Sequence, residues 1–335
     1  MHIETIARHL AAMGTALSLS VSAPTRDAAL RASEAGVREI ERIEALLSTW
    51  RDDTPLARLN AAAPGIPVPV APELFNLLKR VFEWEEGTGG AFDPAIGPLM
   101  KAWGLRSGGR IPDTTELANA RRASDPSLFT FEESSLRVSR SSAAAAIDEG
   151  AWGKGWALDE AAAATREAGA TSGILDLGGQ ILAFGEQTSV AVAHPRDRTR
   201  TVGTLRLKNA SVSTSGNSER GLLVSGRRVG HLLDPHTGEP APDFGSVTVV
   251  APSGLTADVL STAFFVLGPE KGLALSERLR AIGVVNEALF FSEGEEEQDL
   301  RVSMSPGMKA LLELAAAGAP ISLSLSKKSP EGGHK

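Results

Sequence analysis

The sequence predicts an α+β fold: a single large domain of mixed, largely antiparallel sheets flanked by helices. Three observations carry this. Amphipathic helical stripes fill much of the first ninety residues. Short apolar runs broken by Gly, Asn and Pro crowd residues 172–250 without helices between them. Two helical segments and two more strand-like runs follow. Consecutive strands favour antiparallel pairing over a regular βαβ wind. The 335 residues suffice for a substantial core, and neither a fixed-period repeat nor a linker divides them. One domain is therefore expected over residues 1–325, with 326–335 a polar, disordered tail.

The elements follow in order. GTALSLSVS (14–22) has the length and period of a strand. Leu30, Val37, Ile40, Ile43 and Leu47 form a helical stripe that ends near Ser48–Trp50. TPLARLNAAAPG is a short helix stopped by Pro64-Gly65, and 71–90 is a helix carrying Leu74, Leu78, Val81 and Phe82. GGAFDPAIGPLMKAWG opens as a loop bounded by Gly and Pro, and residues 105–127 read as a polar loop with one short helix. FTFEESSLRVSRSS is a hairpin, and DEGAWGKGWALDEAAAATREAG is a glycine-rich turn that becomes a helix. Strands are expected in SGILDLGG, QILAFG, SVAVAHP, TVGTLRLK, ASVSTSG, RVGHLLDP and SVTVVAPS. Helices at 255–268 and in PEKGLALSERLRAIG precede strands in VVNEALFFSEG and LRVSMSPGM.

Composition narrows the function classes. A net charge of −7 gives no reason to expect a nucleic-acid partner or an acidic membrane surface. Without Cys, the chain has no disulfide, thiolate metal site, cysteine nucleophile or lipid-modified cysteine. Without Tyr, aromatic stacking falls to five Trp and eleven Phe. No apolar run is long enough to span a bilayer, and the first residues lack the pattern of an export signal. A cytoplasmic protein and an exported one with its leader removed both fit.

Several clusters can carry chemistry. Asp258 and Thr262, four apart on a helix, present a carboxylate and a hydroxyl on one face. That hard-oxygen pair suits Mg²⁺, although such pairs are common as plain packing. Lys154 between two glycines before a helix makes a phosphate cradle or a solvated turn in equal measure; it lacks the Walker spacing. Gly178-Gly179 reads first as a hairpin turn. Phe92 and Asp93 lie in a constrained loop, where Asp93 either meets a ligand or caps its own turn. Ser213, Thr214 and Ser215 lack the G-x-S-x-G setting of a hydrolase nucleophile. HLLDPHTGEP (231–240) places His231 before a proline-rich turn, a position taken more often by structural histidines than catalytic ones; His236 looks like a turn residue.

The order of these pieces says more than each alone. MGT, STW with a following LN, AFDP-x-IGP-x(4)-WG, ID-x(4)-GKG-x-A-x-D, GG, TSG, H-x-x-DP-x-TG-x-P and AD-x(3)-T occur together from about Met13 to about Met308. The set closely resembles the ApbE family, flavin transferases that move FMN from FAD onto proteins. The resemblance implies a Mg²⁺-dependent enzyme that takes FAD as substrate, transfers FMN to a Ser or Thr hydroxyl of an acceptor protein and releases AMP. It further implies metal ligation by Asp258, Thr262 and the carbonyl of Ala151, and FAD contacts from Met13, Trp50, Ala91, Phe92, Asp93, Asp148, Lys154 and Leu232. His231 matches the family's catalytic histidine, and Asp258 would serve the chemistry through the metal. Asp234 either orients His231 or merely shapes the turn.

Three positions depart from the family's usual pattern. Glu149 replaces an apolar residue, Trp50 stands where tyrosine is common, and Gln180 follows the paired glycines. Two other readings use the same site: hydrolysis of FAD to FMN and AMP, and non-catalytic FAD binding. EAGATSG (167–173) lacks the Asp of the family's acceptor motif, so the chain is not expected to be its own acceptor.

Overall fold

The computed structural model describes residues 3–217, 222–224, 227–293, 300–314 and 321–325. In chain order the elements are β1 (Glu4–Ala12), β2 (Thr15–Ala23), α1 (Arg26–Leu47), α2 (Pro55–Ala61), β3 (Val68–Pro69), α3 (Pro72–Thr88), α4 (Gly97–Ala102), α5 (Thr114–Ala123), β4 (Phe129–Glu132), β5 (Arg137–Arg140) and α6 (Gly153–Glu167). There follow β6 (Ser172–Leu177), β7 (Gln180–Phe184), β8 (Thr188–Ala193), β9 (Thr201–Leu207), β10 (Ala210–Gly216), β11 (Leu222–Val224), β12 (Arg227–Val229), β13 (Gly245–Ala251), α7 (Gly254–Ala281), β14 (Glu287–Glu293), β15 (Leu300–Met304), α8 (Met308–Leu311), β16 (Leu312–Leu314) and β17 (Ile321–Leu325). The α+β expectation holds.

A nine-stranded sheet, ordered β1-β2-β6-β7-β10-β13-β14-β15-β17, organises the molecule. Its pairs are antiparallel except β15 with β17. Strand alternation gives it two apolar faces. Leu17, Leu19, Val21, Leu175 and Leu177 pack on one face with residues of α1 and α6, and Val247 and Val249 pack there with Leu260 and Phe264 of α7. On the other face Val212, Val250, Leu289 and Val302 meet Leu205 and Leu207 of the β16-β9-β8 sheet.

Two features of this scaffold set up the site. The β6–β7 hairpin turns through Gly178 and Gly179, both with positive φ (62° and 86°), as a two-residue turn matched to strand twist requires. It lies beside the Met13-Gly14 turn of β1–β2, because β2 pairs with β6 and Gly178 N donates to Ala16 O at 2.9 Å. Helices α6 and α7 also cross at Gly155 and Gly254. A Cβ on either glycine would run into the carbonyl oxygen of the other, so only a pair without side chains permits this approach.

Where the structure differs from the sequence reading, the reasons are local. Strand β1 was not expected: it is an edge strand with alternating half-buried and exposed residues, which blurs its hydrophobic period. Helix α4 emerges inside the AFDP…WG stretch, started by Pro98 in its first turn. The expected strand RVGHLLDP is strand only over Arg227–Val229; residues 231–240 form a turn held by one bridge, Leu233 with Pro240. The two helices expected after residue 254 are both present: the stretch α7 breaks at Gly268 (φ 74°, ψ 175°), and Pro269 opens the second. Strand β17 was also not expected; it adds to the sheet edge in parallel with β15. The tail at 326–335 lies outside the described residues.

Replacing Gly155 with Ala should cost about 2 kcal/mol or more, through overpacking at the α6–α7 crossing. Gly87→Ala, within α3 and with only ordinary contact at 3.8 Å from Trp84, should instead stabilise by up to ~1 kcal/mol. Urea denaturation of both variants checks the pair.

Candidate active site

A cavity of about 270 Å³ opens where the β6–β7 turn, the AFD loop, the start of α6, the second turn of α7 and the 231–234 segment meet. Ala91, Phe92, Asp93, Asp148, Ala151, Lys154, His231, Leu232, Asp258 and Thr262 all line it. Met13 and Trp50 do not. Met13 sits in the turn adjoining Gly178, its amide donating to Glu44 Oε2 at 2.9 Å. Trp50 is 69% exposed and stacks beneath Arg106.

Asp258 is buried one turn into α7. Its Oδ2 accepts from Gly155 N at 3.0 Å, and Lys154 Nζ lies 3.2 Å away. The α6–α7 crossing therefore brings the phosphate-cradle candidate and the metal-ligand candidate into one ion pair. The aspartate of the GKG-x-A-x-D stretch has a different task. Asp159 accepts from Ser253 Oγ at 2.7 Å, Gly254 N at 2.5 Å and Leu255 N at 3.0 Å, so it caps the start of α7, where a negative charge is favoured. Gln180 fastens the same end. Its Nε2 donates to Gly254 O at 2.9 Å, while its buried Oε1 has no hydrogen-bond partner among the described residues.

The AFD loop is tied to the strand-like segment before α6: Gly97 N donates to Ala146 O at 3.2 Å, and Asp148 N to Pro94 O at 2.9 Å. Asp148 accepts from Gly150 N at 2.8 Å and from Arg106 at 2.5 Å. Asp93 accepts from Ala95 N at 2.7 Å. Burial pushes its carboxyl up to about 7; the Ala95 N–H opposes this, and Glu85 and Asp125 add to it. Glu149 does not line the cavity. It accepts from Thr49 N at 3.1 Å and Thr49 Oγ1 at 2.5 Å and lies 3.5 Å from Arg106. Burial, with Asp148 alongside, raises its pKa. The unusual glutamate thus ties down the chain next to Trp50.

The 231–240 turn is rigid for visible reasons. Ala241 N donates to Leu232 O, Asp234 N to Glu239 O and Gly238 N to Asp234 O, each at 2.8 Å, and Trp103 Nε1 donates to Gly238 O at 2.7 Å. The Asp234 carboxylate accepts from His236 N at 2.9 Å and faces His236 Nδ1 at 3.2 Å. Of the two roles open for Asp234, the structure gives it the turn; it does not orient His231. Ser213 and Ser215 bond to Ser261, and Thr214 bonds to Thr248, so these hydroxyls make an inter-element network and no nucleophile triad.

Asp258, Thr262 and Ala151 border one cavity with hard oxygen donors, a set whose chemistry fits Mg²⁺. Among the described residues, the one group of three acidic or histidine side chains close enough to share an ion is Glu39, Glu73 and Glu160. Arg42 already binds two of them. Sequence reasoning missed Arg106, Thr49, Asp159 and Trp103. Arg106 sits in a polar, glycine-rich loop with no local signal; Asp159 and Trp103 were visible as motif positions but had no assigned role.

The family model described as the ApbE family matches residues 13–285. A protein of Treponema pallidum named FAD:protein FMN transferase is 33% identical over 295 residues, spanning 80% of this chain and 78% of that protein. One of the same name from Klebsiella pneumoniae is 32% identical over 238 residues, 70% of this chain and 75% of its own. The crystal structure of the ApbE protein of Thermotoga maritima superposes with a TM-score of 0.83 at 28% identity, covering 92% of this chain and 99% of that one.

Asp93 supplies a pH signature. Its carboxyl is raised in the folded chain from an ordinary value of 3.8 to about 7. Between those values the folded state keeps a proton that the unfolded state has lost, so stability falls as pH rises through the window. Asp93→Asn keeps the shape without the titration. Relative to this variant, the wild type should lose roughly 1–4 kcal/mol between pH 4 and 8, measured by urea denaturation at several pH values.

Proposed function

The chain belongs to the ApbE family, and from that premise we propose that it transfers the FMN part of FAD to a Ser or Thr hydroxyl of an acceptor protein, with Mg²⁺, releasing AMP. One observation carries the reading. Asp93, Asp148, Lys154, His231, Asp258 and Thr262, drawn from four segments far apart in sequence, meet around a single cavity. A fold preserved for packing alone has no need to gather a histidine, a lysine, three aspartates and a threonine at one opening.

The division of labour follows from the groups present. The AFD loop, Asp148, Leu232, Met13 and Trp50 would hold the dinucleotide. Asp258, Thr262 and the Ala151 carbonyl would hold Mg²⁺, which when bound offsets the negative charge of the pyrophosphate. Lys154 adds a second positive charge on the same wall. His231 accepts the proton of the acceptor hydroxyl. The hydroxyl oxygen forms a bond to the FMN phosphorus, the phosphoanhydride bond to AMP breaks, and AMP leaves with the electron pair. No electrons change hands, so the flavin is cargo in this step.

His231→Asn should reduce transfer at least ~100-fold while leaving FAD affinity within a few-fold of wild type. The assay combines FAD, Mg²⁺ and a protein carrying a threonine flavinylation motif, and follows AMP release together with in-gel flavin fluorescence. EDTA should abolish labelling. Full activity in the variant would remove His231 from the chemistry; AMP and free FMN without labelling would identify a hydrolase instead.

A further inference from the structure

Resting on that flavin-transfer reading, we propose that Arg106 is a positioning residue that makes Trp50 a stacking platform for one of the flat rings of the dinucleotide at the edge of the cleft. Arg106 reaches Asp148 Oδ2 at 2.5 Å and Glu149 Oε2 at 3.5 Å, and its guanidinium carbon lies 4.8 Å from the Trp50 ring centroid. One cation thus joins a cavity-lining carboxylate, a buried glutamate and an exposed indole.

Each part of this bracket has a distinct task. Glu149 fixes the backbone before the indole by accepting from Thr49 N and Thr49 Oγ1. Thr54 Oγ1 donates to Ser48 O at 2.8 Å and closes the same short segment from its other end. Arg106 covers one face of the ring, and with the residue 69% exposed the other face remains accessible. The loop that carries Arg106 is itself anchored to α4: Leu105 N donates to Met100 O at 3.1 Å and Arg110 N to Trp103 O at 2.9 Å.

A lone exposed apolar side chain is ordinary. Here, however, two carboxylates and an arginine are committed to orienting one that contributes little buried surface. A planar guanidinium suits the position: it bonds along its edge and stacks with its face, which a lysine ammonium cannot do. An aromatic ring of the substrate, isoalloxazine or adenine, is the matching partner for the open face.

The test is a double-mutant cycle read by FAD affinity and by the KM and kcat of AMP release. Trp50→Ala and Arg106→Ala should each weaken FAD binding about three- to tenfold, with the effect falling more on KM than on kcat. The double variant should bind no more weakly than Trp50→Ala alone. Trp50→Phe should recover most of the affinity, and Arg106→Lys only part. Glu149→Gln, which keeps an acceptor for Thr49, should show a smaller loss in the same direction; urea midpoints identify any variant that is simply unfolded. Competition by FMN and by AMP separates the rings: selective weakening of FMN assigns isoalloxazine, and of AMP assigns adenine. Additive losses, wild-type affinity in Arg106→Ala, or unchanged binding of both FMN and AMP in the variants would overturn the platform while leaving the transferase reading intact. A wild type that binds no FAD would overturn both.

Discussion

Two backbones meet at Gly155 and Gly254 with no room for a side chain between them, and the cleft depends on that meeting. It brings the start of α6 against the start of α7, so the amide of Gly155 and the ammonium of Lys154 both reach Asp258. Three further groups hold the junction. Asp159 caps α7, Ser253 supplies the cap hydroxyl, and Gln180 reaches over from the sheet to the Gly254 carbonyl. Separating the helices by the width of a methyl group would pull lysine from carboxylate, because interiors are packed too closely to absorb the change elsewhere.

The carboxylates around the opening are handled in different ways. Asp258 faces Lys154, Asp148 faces Arg106, and Asp93 is buried, which pushes its carboxyl up to about 7, with Glu85 and Asp125 adding a little and the Ala95 N–H opposing. For a cleft proposed to receive a polyphosphate, this distribution matters. Two acidic groups carry positive partners at the wall, and the third favours its neutral form when ligand-free at mildly acidic pH. Repulsion of an anionic substrate would thereby be reduced without removing the oxygens that a hard cation would need.

Much of this was legible in the sequence, and the remainder fails for physical reasons. Long amphipathic helices such as α1 and the run of strands from β6 to β10 announce themselves through periodicity. The cavity-lining residues were legible as an ordered set of short motifs, although Asp258 and Thr262 alone were no better than a packing pair. Edge strand β1 and the helix nested at Gly97–Ala102 were not legible, since neither has a clean apolar period. Arg106 was invisible because its value comes from three partners at residues 50, 148 and 149. Glu149 looked like an intrusion near a phosphate site. Its hydrogen bonds to Thr49, a hundred residues away, make it a fastening, and sequence spacing carries no record of such a contact.

The histidine turn shows the same economy. In HLLDPHTGEP the aspartate nearest to His231 is the natural candidate for an orienting acid, yet its carboxylate is committed to His236 and its backbone to Glu239 and Gly238. Trp103, from the end of the AFDP…WG stretch, donates to Gly238 and pins the turn to α4. Asp234 is therefore a turn residue, and the rigid backbone frame it helps to build carries His231 to the cavity. Under the proposed reading, such a frame would suit a base that receives a hydroxyl from another protein. The backbone of the turn is already held in the free chain, so under the proposed reading neither the aspartate nor the turn would have to move when an acceptor arrives.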